Sequence, residues 1–347
     1  MKLHIFNPEH DIALASGLSN FTAPHAGRQL RSDVGFLPAL WAGAGECVLV
    51  EHADEAEQRF RRLMHRPFGR FVEKQMLSVI DISRVEPWGW DAALKAFLLR
   101  RGVRAEVLPG DERLRLIRQL SSRATAVAML PLLQGPGRTG ESVMARSLGE
   151  AADALARWQS IVVKAPWSSS GRGVRFVGGQ MAPAVERWMA GVIRRQGAVA
   201  IEPHYRKVRD FAMEFEADGQ GAARYSGLSL FQAENGAYQG NIIASEEEKM
   251  EMISRYLPER LLRDVQEEIC QCFSRLQNHP YQGPFGVDMM VVARPDAQGF
   301  LLHPCVELNL RRTMGHVALS LQHCCPLPSV MRVVCSEDHY KIKIQRI

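Results

Sequence analysis

Ile161-Val162-Val163-Lys164-Ala165-Pro166-Trp167-Ser168-Ser169-Ser170-Gly171-Arg172-Gly173-Val174 is the stretch from which the rest of this 347-residue chain is best read. Three β-branched residues before the lysine favour a buried strand. The serine and glycine run that follows removes the bulk that keeps backbone N–H groups away from anionic oxygens. A lysine at a strand end beside such a loop can set its ammonium against phosphate. Ser168, Ser169, Ser170, Gly171 and Gly173 would then form an adaptable cover, and Arg172 would add a second charge. Taken alone, the stretch reads more readily as an ordinary glycine-containing hairpin.

A second segment, Val306-Glu307-Leu308-Asn309-Leu310-Arg311, changes that balance. The two-residue strand period puts Glu307, Asn309 and, if the strand persists, Arg311 on one face, with Leu308 and Leu310 opposite. Magnesium takes hard oxygen ligands and commonly uses one or two carboxylates together with water and substrate phosphates, so Glu307 and the amide oxygen of Asn309 suit it. Asp288, in the apolar run Phe285-Gly286-Val287-Asp288-Met289-Met290-Val291-Val292, supplies a second carboxylate if its strand pairs with that of Glu307 through a turn around residues 294–299. An acid in such a strand is costly unless paired or metal-bound. Its other reading is a salt bridge to a nearby arginine. Arg311 and Arg312 are candidates to neutralise a transferring phosphoryl group or to hold an acidic substrate, and the sequence leaves open which of them faces inward.

Apolar residues make up 46% of the chain, enough to bury a substantial core in two or three compact units. No apolar run approaches the roughly 18 residues of a membrane span, and the N-terminus meets a proline and acids too early for a secretory signal, so the expected compartment is the cytoplasm, with no membrane partner. Seven scattered cysteines lack zinc-site or disulfide spacing and are expected to be reduced. The formal charge of +5, from 43 basic and 38 acidic residues, suits an anionic substrate such as a nucleotide. No nucleic-acid motif accompanies the basic run Arg59 to Arg66, which reads as a solvated helix face, so no nucleic-acid partner is expected.

Along the chain, Lys2–Phe6, Ile12–Ser16, Leu37–Ala42, Cys47–Glu51, Trp90–Arg101 and Arg104–Leu108 alternate strand-like and helix-like character, an α/β pattern. Gln134 to Gly140 marks a turn or linker, with a boundary near 125 to 140. Glu141–Trp158 reads as an amphipathic helix, Ala182–Arg195 as a helix, and Ala198–His204 as a strand broken by proline where a hinge could sit. Asp210–Ala217 and Ala223–Phe231 read as paired strands, Glu246–Asn278 as a long helical region interrupted at Pro258, and Gly283–Val292 with Phe300–Asn309 as the last strand pair.

In order as well as content, a lysine strand, glycine-rich loop, hinge, long helix, acid strand and Glu-x-Asn-x-Arg resemble the ATP-grasp superfamily over roughly residues 140 to 320. The resemblance implies a mixed α/β and α+β fold. An N-terminal pre-ATP-grasp-like α/β domain would occupy residues 1–125, a first lobe with the glycine-rich loop 126–201, and a second lobe with magnesium-binding strands 202–347. It further implies that Lys164 and the loop contact ATP phosphates, that Asp288, Glu307 and Asn309 hold Mg²⁺, and that Arg311, with Arg312 beside it, faces the reaction centre. Adenine would meet Glu202 to His204 largely through backbone groups, and ribose would meet Asp210. The upstream ATP-contacting lysine of many family members has no counterpart, and Arg138 and Arg146 are the candidates to replace it. In the N-terminal region, Asn7-Pro8-Glu9-His10-Asp11 follows the first strand, where open α/β sheets gather ligands; substrate contact and a capped helix start are both open for it.

The activity implied by the resemblance is ADP-forming ligation. ATP phosphorylates a small-molecule or peptide carboxylate, and an amine or other nucleophile then displaces phosphate. The alternatives are a phosphotransferase built on the same machinery and a non-catalytic nucleotide-binding protein. A dinucleotide-dependent oxidoreductase lacks its Gly-x-Gly-x-x-Gly after the first strand, where Phe6 is followed by Asn7 and Pro8. Tyr238 to Asn241 reads either as part of a substrate cleft or as a polar hairpin turn.

Overall fold

The computed structural model describes residues 1–168, 173–234, 237–275, 281–295, 298–325 and 328–347. The chain begins β1 (Lys2–Ile5), α1 (His10–Ser16), α2 (His25–Val34), β2 (Cys47–Leu49), α3 (Ala53–Met64), β3 (Phe71–Val72), β4 (Arg84–Pro87) and α4 (Ala92–Arg100). It continues through α5 (Asp111–Leu120), α6 (Arg123–Met129), β5 (Val143–Ala145), α7 (Leu148–Trp158), β6 (Ser160–Lys164), β7 (Val174–Gly178), α8 (Pro183–Gln196) and β8 (Val199–Pro203). The long strands β9 (Lys207–Asp218), β10 (Ala223–Glu234) and β11 (Ala237–Ile243) follow, then α9 (Glu246–Ser254), α10 (Glu259–Arg275), β12 (Gln282–Ala293) and β13 (Phe300–Asn309). The chain closes with α11 (Met314–Leu321), β14 (Ser329–Ser336) and β15 (His339–Arg346).

Two compact units result. The first comprises Met1–Arg118, Gln239–Ser245 and Arg311–Ile347; the second comprises Gln119–Tyr238 and Glu246–Leu310. A division into domains at residues 125 and 201 remains a proposal about lobes.

In the first unit a parallel sheet in the order β3-β2-β1-β4 carries the α/β pattern expected of the N-terminal region. Leu3, Ile5, Cys47, Val72 and Val85 pack with Leu94 and Leu98 of α4 in one core. A second core joins distant sequence: Phe6, Val34, Phe36 and Phe60 pack with Ile243, Val317, Leu321 and Met331. β11 pairs antiparallel with β14, and β14 with β15, so Tyr238 to Asn241 lies in a strand and not a turn. Asp33 on α2 ties the hairpin down. Its buried carboxylate accepts from Tyr340 N at 2.8 Å, Gln29 Nε2 at 3.0 Å and Arg59 Nη1 at 3.0 Å, and His339 Nδ1 lies 3.0 Å away.

The second unit contains two antiparallel arrangements. β5-β8-β6-β7 forms one sheet, with α7 and α8 burying Ala151, Leu155, Met189 and Val192 against it. β13-β12-β9-β10 forms the other. This second sheet is two-faced. Phe215 and Phe285 stack at 5.0 Å and Phe273 of α10 stacks on Phe285 at 4.1 Å, so one face is sealed by a helix. The alternate residues form the opposite face.

Several expectations shift by a few residues for local reasons. The helix expected over Glu141–Trp158 starts only at Leu148, because the Ser147 hydroxyl caps it by accepting from Glu150 N, while Val143–Ala145 instead pairs with β8 at the sheet edge. Arg104–Leu108 is a short 3-10 turn, closed by Leu108 N donating to Ala105 O, and Leu37–Leu40 is another. Pro258 separates α9 from α10 as anticipated, and residues 276–280, where that helical region was expected to end, lie outside the described residues. The described cysteines are free thiols. Among the described residues no helix is long and apolar enough to cross a membrane.

Asp33→Ala should lower the unfolding free energy by about 2 kcal/mol, since it strands the Tyr340 amide and removes a buried acceptor shared with Gln29 and Arg59. Burial raises the Asp33 pKa, but the donated hydrogen bonds and Arg59 outweigh it and hold the carboxyl below its ordinary value. Its stabilising contribution is therefore complete above the unfolded-state pKa of about 3.9 and is lost as pH falls through the lower folded value. Urea titrations of both proteins between pH 7 and pH 3 should show the gap closing only at the acid end.

Candidate active site

β6 ends at Lys164, where the chain leaves the sheet. Directly opposed residues of antiparallel neighbours share a face, so the pairings Val162↔Glu202, Lys164↔Ala200 and Val162↔Phe176 put Lys164, Glu202 and Phe176 on one side. Lys164 Nζ lies 2.5 Å from Glu202 Oε1, and both residues are more than nine-tenths buried. A buried charge needs a counter-charge, and each supplies the other's. Phe176 is 63% exposed, and its ring lies 5.2 Å from that of His204, so an exposed aromatic pair stands on the same side.

The loop after β6 is drawn closed by Ala165 N donating to Gly173 O at 2.8 Å. Gly173 has no room for a side chain, because an added Cβ would collide with the Cβ and Oγ of Ser168. Ser169, Ser170, Gly171 and Arg172 lie outside the described residues.

On the second sheet β12 and β13 pair so that Asp288 is directly opposite Glu307 and Gly286 opposite Asn309. β9 extends both rows, with Ala212 against Asp288 and Glu214 against Gly286. One face therefore carries Glu214, Asp288, Glu307 and Asn309 on three adjacent strands. Between the pairs Asp288↔Glu307 and Met290↔His303 the register slips, so Met289 faces Pro304, Cys305 and Val306. Pro304 has no N–H to give the ladder, which accounts for the irregularity beside the two acids.

Arg123 joins the two halves of this site, and the sequence reading passed it over. It is the first residue of α6, whose N-cap is Ser122, and it is 7% exposed. Its Nη1 donates to Ala165 O at 2.6 Å and to Ser168 Oγ at 2.8 Å, while its Nη2 donates to Glu307 Oε2 at 2.8 Å. Its main-chain N donates to Pro166 O at 3.0 Å. Arg123, Ser142, Lys164, Glu202, Cys305 and Val306 line a single crevice. Arg123 Nε is buried and has no partner among the described residues, a donor aimed at nothing the described chain supplies.

Burial pushes the Cys305 thiol up to about 12, with Asp288 and Glu307 adding to the shift and Lys164 opposing it. Cys305 is thus a neutral packing group and not a nucleophile. Burial likewise pushes the His303 imidazole down to about 4, against the pull of Glu202, so this ring is neutral at pH 7.

The other expected residues sit as follows. Asp210 is held by Lys207 Nζ at 2.6 Å. Arg138 is committed to Glu268 and to Leu133 O, and Arg146 is exposed. Arg311 and Arg312 belong to the first unit. There Arg311 forms a bidentate pair with Asp11 at 2.8 and 2.7 Å, and the Arg312 guanidinium lies 4.5 Å from the centre of the Trp41 ring.

Magnesium fits this donor set: two opposed carboxylates and an adjacent amide leave room for the waters and phosphates it prefers to keep. Among the described residues no group of three His, Cys, Asp or Glu side chains converges as a ready-made cage.

The sequence matches no protein-family model, and no curated protein matches it significantly. Solved structures do resemble it. The N5-carboxyaminoimidazole synthetase of Staphylococcus aureus complexed with ADP superposes with a TM-score of 0.52 at 10% identity, over 97% of this chain and 83% of that one. A biotin carboxylase–β-γ-ATP complex from Campylobacter jejuni gives 0.55 at 11% identity, over 97% and 76%. The biotin carboxylase domain of a Hydrogenobacter thermophilus 2-oxoglutarate carboxylase, in complex with MgADP, ADP and bicarbonate, gives 0.53 at 11%, over 97% and 75%. This chain has the ATP-grasp fold.

If the Arg123–Glu307 contact ties the loop after β6 to β13, Arg123→Met and Glu307→Gln should not be additive. Arg123 is buried and Glu307 half-buried, so breaking the pair from one side should cost about 1–3 kcal/mol, whereas removing both partners relieves the stranded charge. A double-mutant cycle by chemical denaturation should give a coupling energy above about 1 kcal/mol, and additive losses would show that the contact carries no energy.

Proposed function

We propose that this protein is an ATP- and magnesium-dependent ligase that activates a carboxylate as an acylphosphate for attack by an amine or another nucleophile, releasing ADP and phosphate. The observation that carries the reading is Arg123, which lines one crevice with Lys164 and bridges the start of the Lys164 loop to Glu307. The ADP and MgADP complexes among the structures of like fold support it.

In this reading Lys164 and the loop amides around Ser168 and Gly173 bind the ATP phosphates, with Ser169, Ser170, Gly171 and Arg172 completing the cover. Arg123 Nε supplies a further donor to the phosphates, in the role for which Arg138 and Arg146 were candidates. Adenine lies by Glu202 to His204, against the Phe176–His204 pair, and Asp210 meets the ribose. Asp288, Glu307 and Asn309 hold Mg²⁺, which when bound offsets negative charge on the phosphates.

The substrate carboxylate oxygen attacks the γ-phosphorus, the bond to the β-γ bridging oxygen breaks, and ADP leaves. The nucleophile then adds to the acyl carbon and phosphate departs with the carbonyl–oxygen bond. The protein's part is positioning and charge, with Lys164 and Arg123 facing the oxygens on which negative charge shifts and loop closure excluding water from the acylphosphate. Arg311 and Arg312 are proposed at the acidic substrate, with Arg311 oriented by Asp11.

A screen of carboxylates and amines for acceptor-dependent ADP release, followed by mass analysis, tests this directly. Free phosphate with an amide product supports ligation. A stable phosphoester would move the assignment to a phosphotransferase, and nucleotide binding without any turnover would move it to a sensor. Glu307→Gln should cut turnover by about 100-fold or more, the order of effect of removing one charge-stabilising group at a reacting centre. If Glu307→Gln leaves both metal affinity and turnover unchanged, the metal assignment is wrong.

A further inference from the structure

The first unit contains a cavity of about 660 Å³ that the proposed chemistry does not use, within the range of small-molecule sites. It lies at the carboxyl ends of β1 and β2 and is walled by α2 and α4. Asn7 and Glu9, just after β1, line it together with Asp91. Asp91 is committed there: it caps α4 through Leu94 N at 2.9 Å, accepts from Asn7 Nδ2 at 3.2 Å, and stands 3.4 Å from His10 Nδ1. Gly89 makes this possible, since a Cβ there would strike the His10 ring.

Glu9 is different. It lines the cavity and is 8% exposed; one carboxylate oxygen takes Arg31, while the other, Oε2, is buried with no partner among the described residues. A buried carboxylate oxygen without a donor is costly, and a ligand donor removes that cost. Arg28, Lys74, Arg100 and Arg101 also line the cavity and are exposed, while Glu51 on the same wall is engaged by Arg31 at 3.4 Å. A buried acceptor without a partner and exposed cations thus line the same cavity.

We propose that this cavity is a binding site for a small molecule carrying both an amine and an acid group, the ammonium seated on Glu9 Oε2 and the carboxylate or phosphate held by the exposed arginines of its lining. Amino acids and amine-bearing phosphate monoesters share this chemistry. Giving the ligand a role as amine co-substrate rests on the ligase reading, but binding does not, because it is measured without ATP or magnesium. Failure of one therefore leaves the other intact.

The test is isothermal titration of the full chain with the common amino acids and with phosphoethanolamine, each beside its amine-free analogue, such as succinate for aspartate and ethyl phosphate for phosphoethanolamine. At least one amine-bearing acid should bind about tenfold or more tightly than its amine-free partner, and which of the two groups does so identifies the acid. Glu9→Gln should abolish that preference. Arg28→Ala, at an exposed position of the lining, should weaken amine-bearing and amine-free acids alike and keeps the test valid if Glu9→Gln fails to fold. Equal binding of both partners, or no binding by any amine-bearing acid, overturns the proposal.

Discussion

The guanidinium of Arg123 is shared among three acceptors that come from two different sheets. Ala165 O and Ser168 Oγ belong to the loop that leaves β6, and Glu307 belongs to β13. A planar, permanently charged fork with several donors can span such a gap, while a lysine offers a point charge on a flexible stem. Because Arg123 is itself buried at the N-terminus of α6, its own position is set by packing and by the hydrogen bond from its backbone to Pro166 O. The crevice in which Lys164 and Glu202 meet Cys305 and Val306 exists on the terms this one side chain sets.

The sheet that carries the acids tolerates them because its two faces are built differently. Helix α10 seals the aromatic face through Phe273, and this gives β9 and β12 the apolar burial that holds them in register. The polar face is then free to align Glu214, Asp288, Glu307 and Asn309 in two neighbouring rows. Pro304 disturbs the ladder one step beyond, so the acids sit where strand pairing gives way.

Much of this was legible along the chain. The β-branched run before Lys164, the alternation through Glu307 and Asn309, and the isolated acid at Asp288 each reflect local backbone periodicity, which sequence records directly. That the Asp288 and Glu307 strands pair was legible from their short connection, but the direct opposition of the two acids was not, because the register slips between Asp288 and Met290. Arg123 was not legible, because nothing near it in sequence distinguishes it from other helix arginines; its partners are 42, 45 and 184 residues away. Glu214 escaped for a similar reason, since its place beside Gly286 depends on long-range register. The composition of the first unit was hidden too: Ile243, Leu321 and Met331 join Phe6 and Phe36 in one core, a fact that no window of sequence contains. The start of α7 at Leu148 was within reach, as Ser147 is a standard capping residue, but the apolar spacing upstream masked it.

The Lys164–Glu202 ion pair gives the crevice a threshold. A singly charged anion approaching Lys164 meets a cation that already has a built-in counterion, so it must compete with a carboxylate fixed 2.5 Å away that has no association entropy left to lose. A polyanion reaching Lys164, Arg123 and the loop amides together makes several contacts for a single loss of freedom, and it alone displaces the internal rival. The internal ion pair thereby weights the crevice toward multiply charged anions and against the chloride and bicarbonate that crowd any physiological solution.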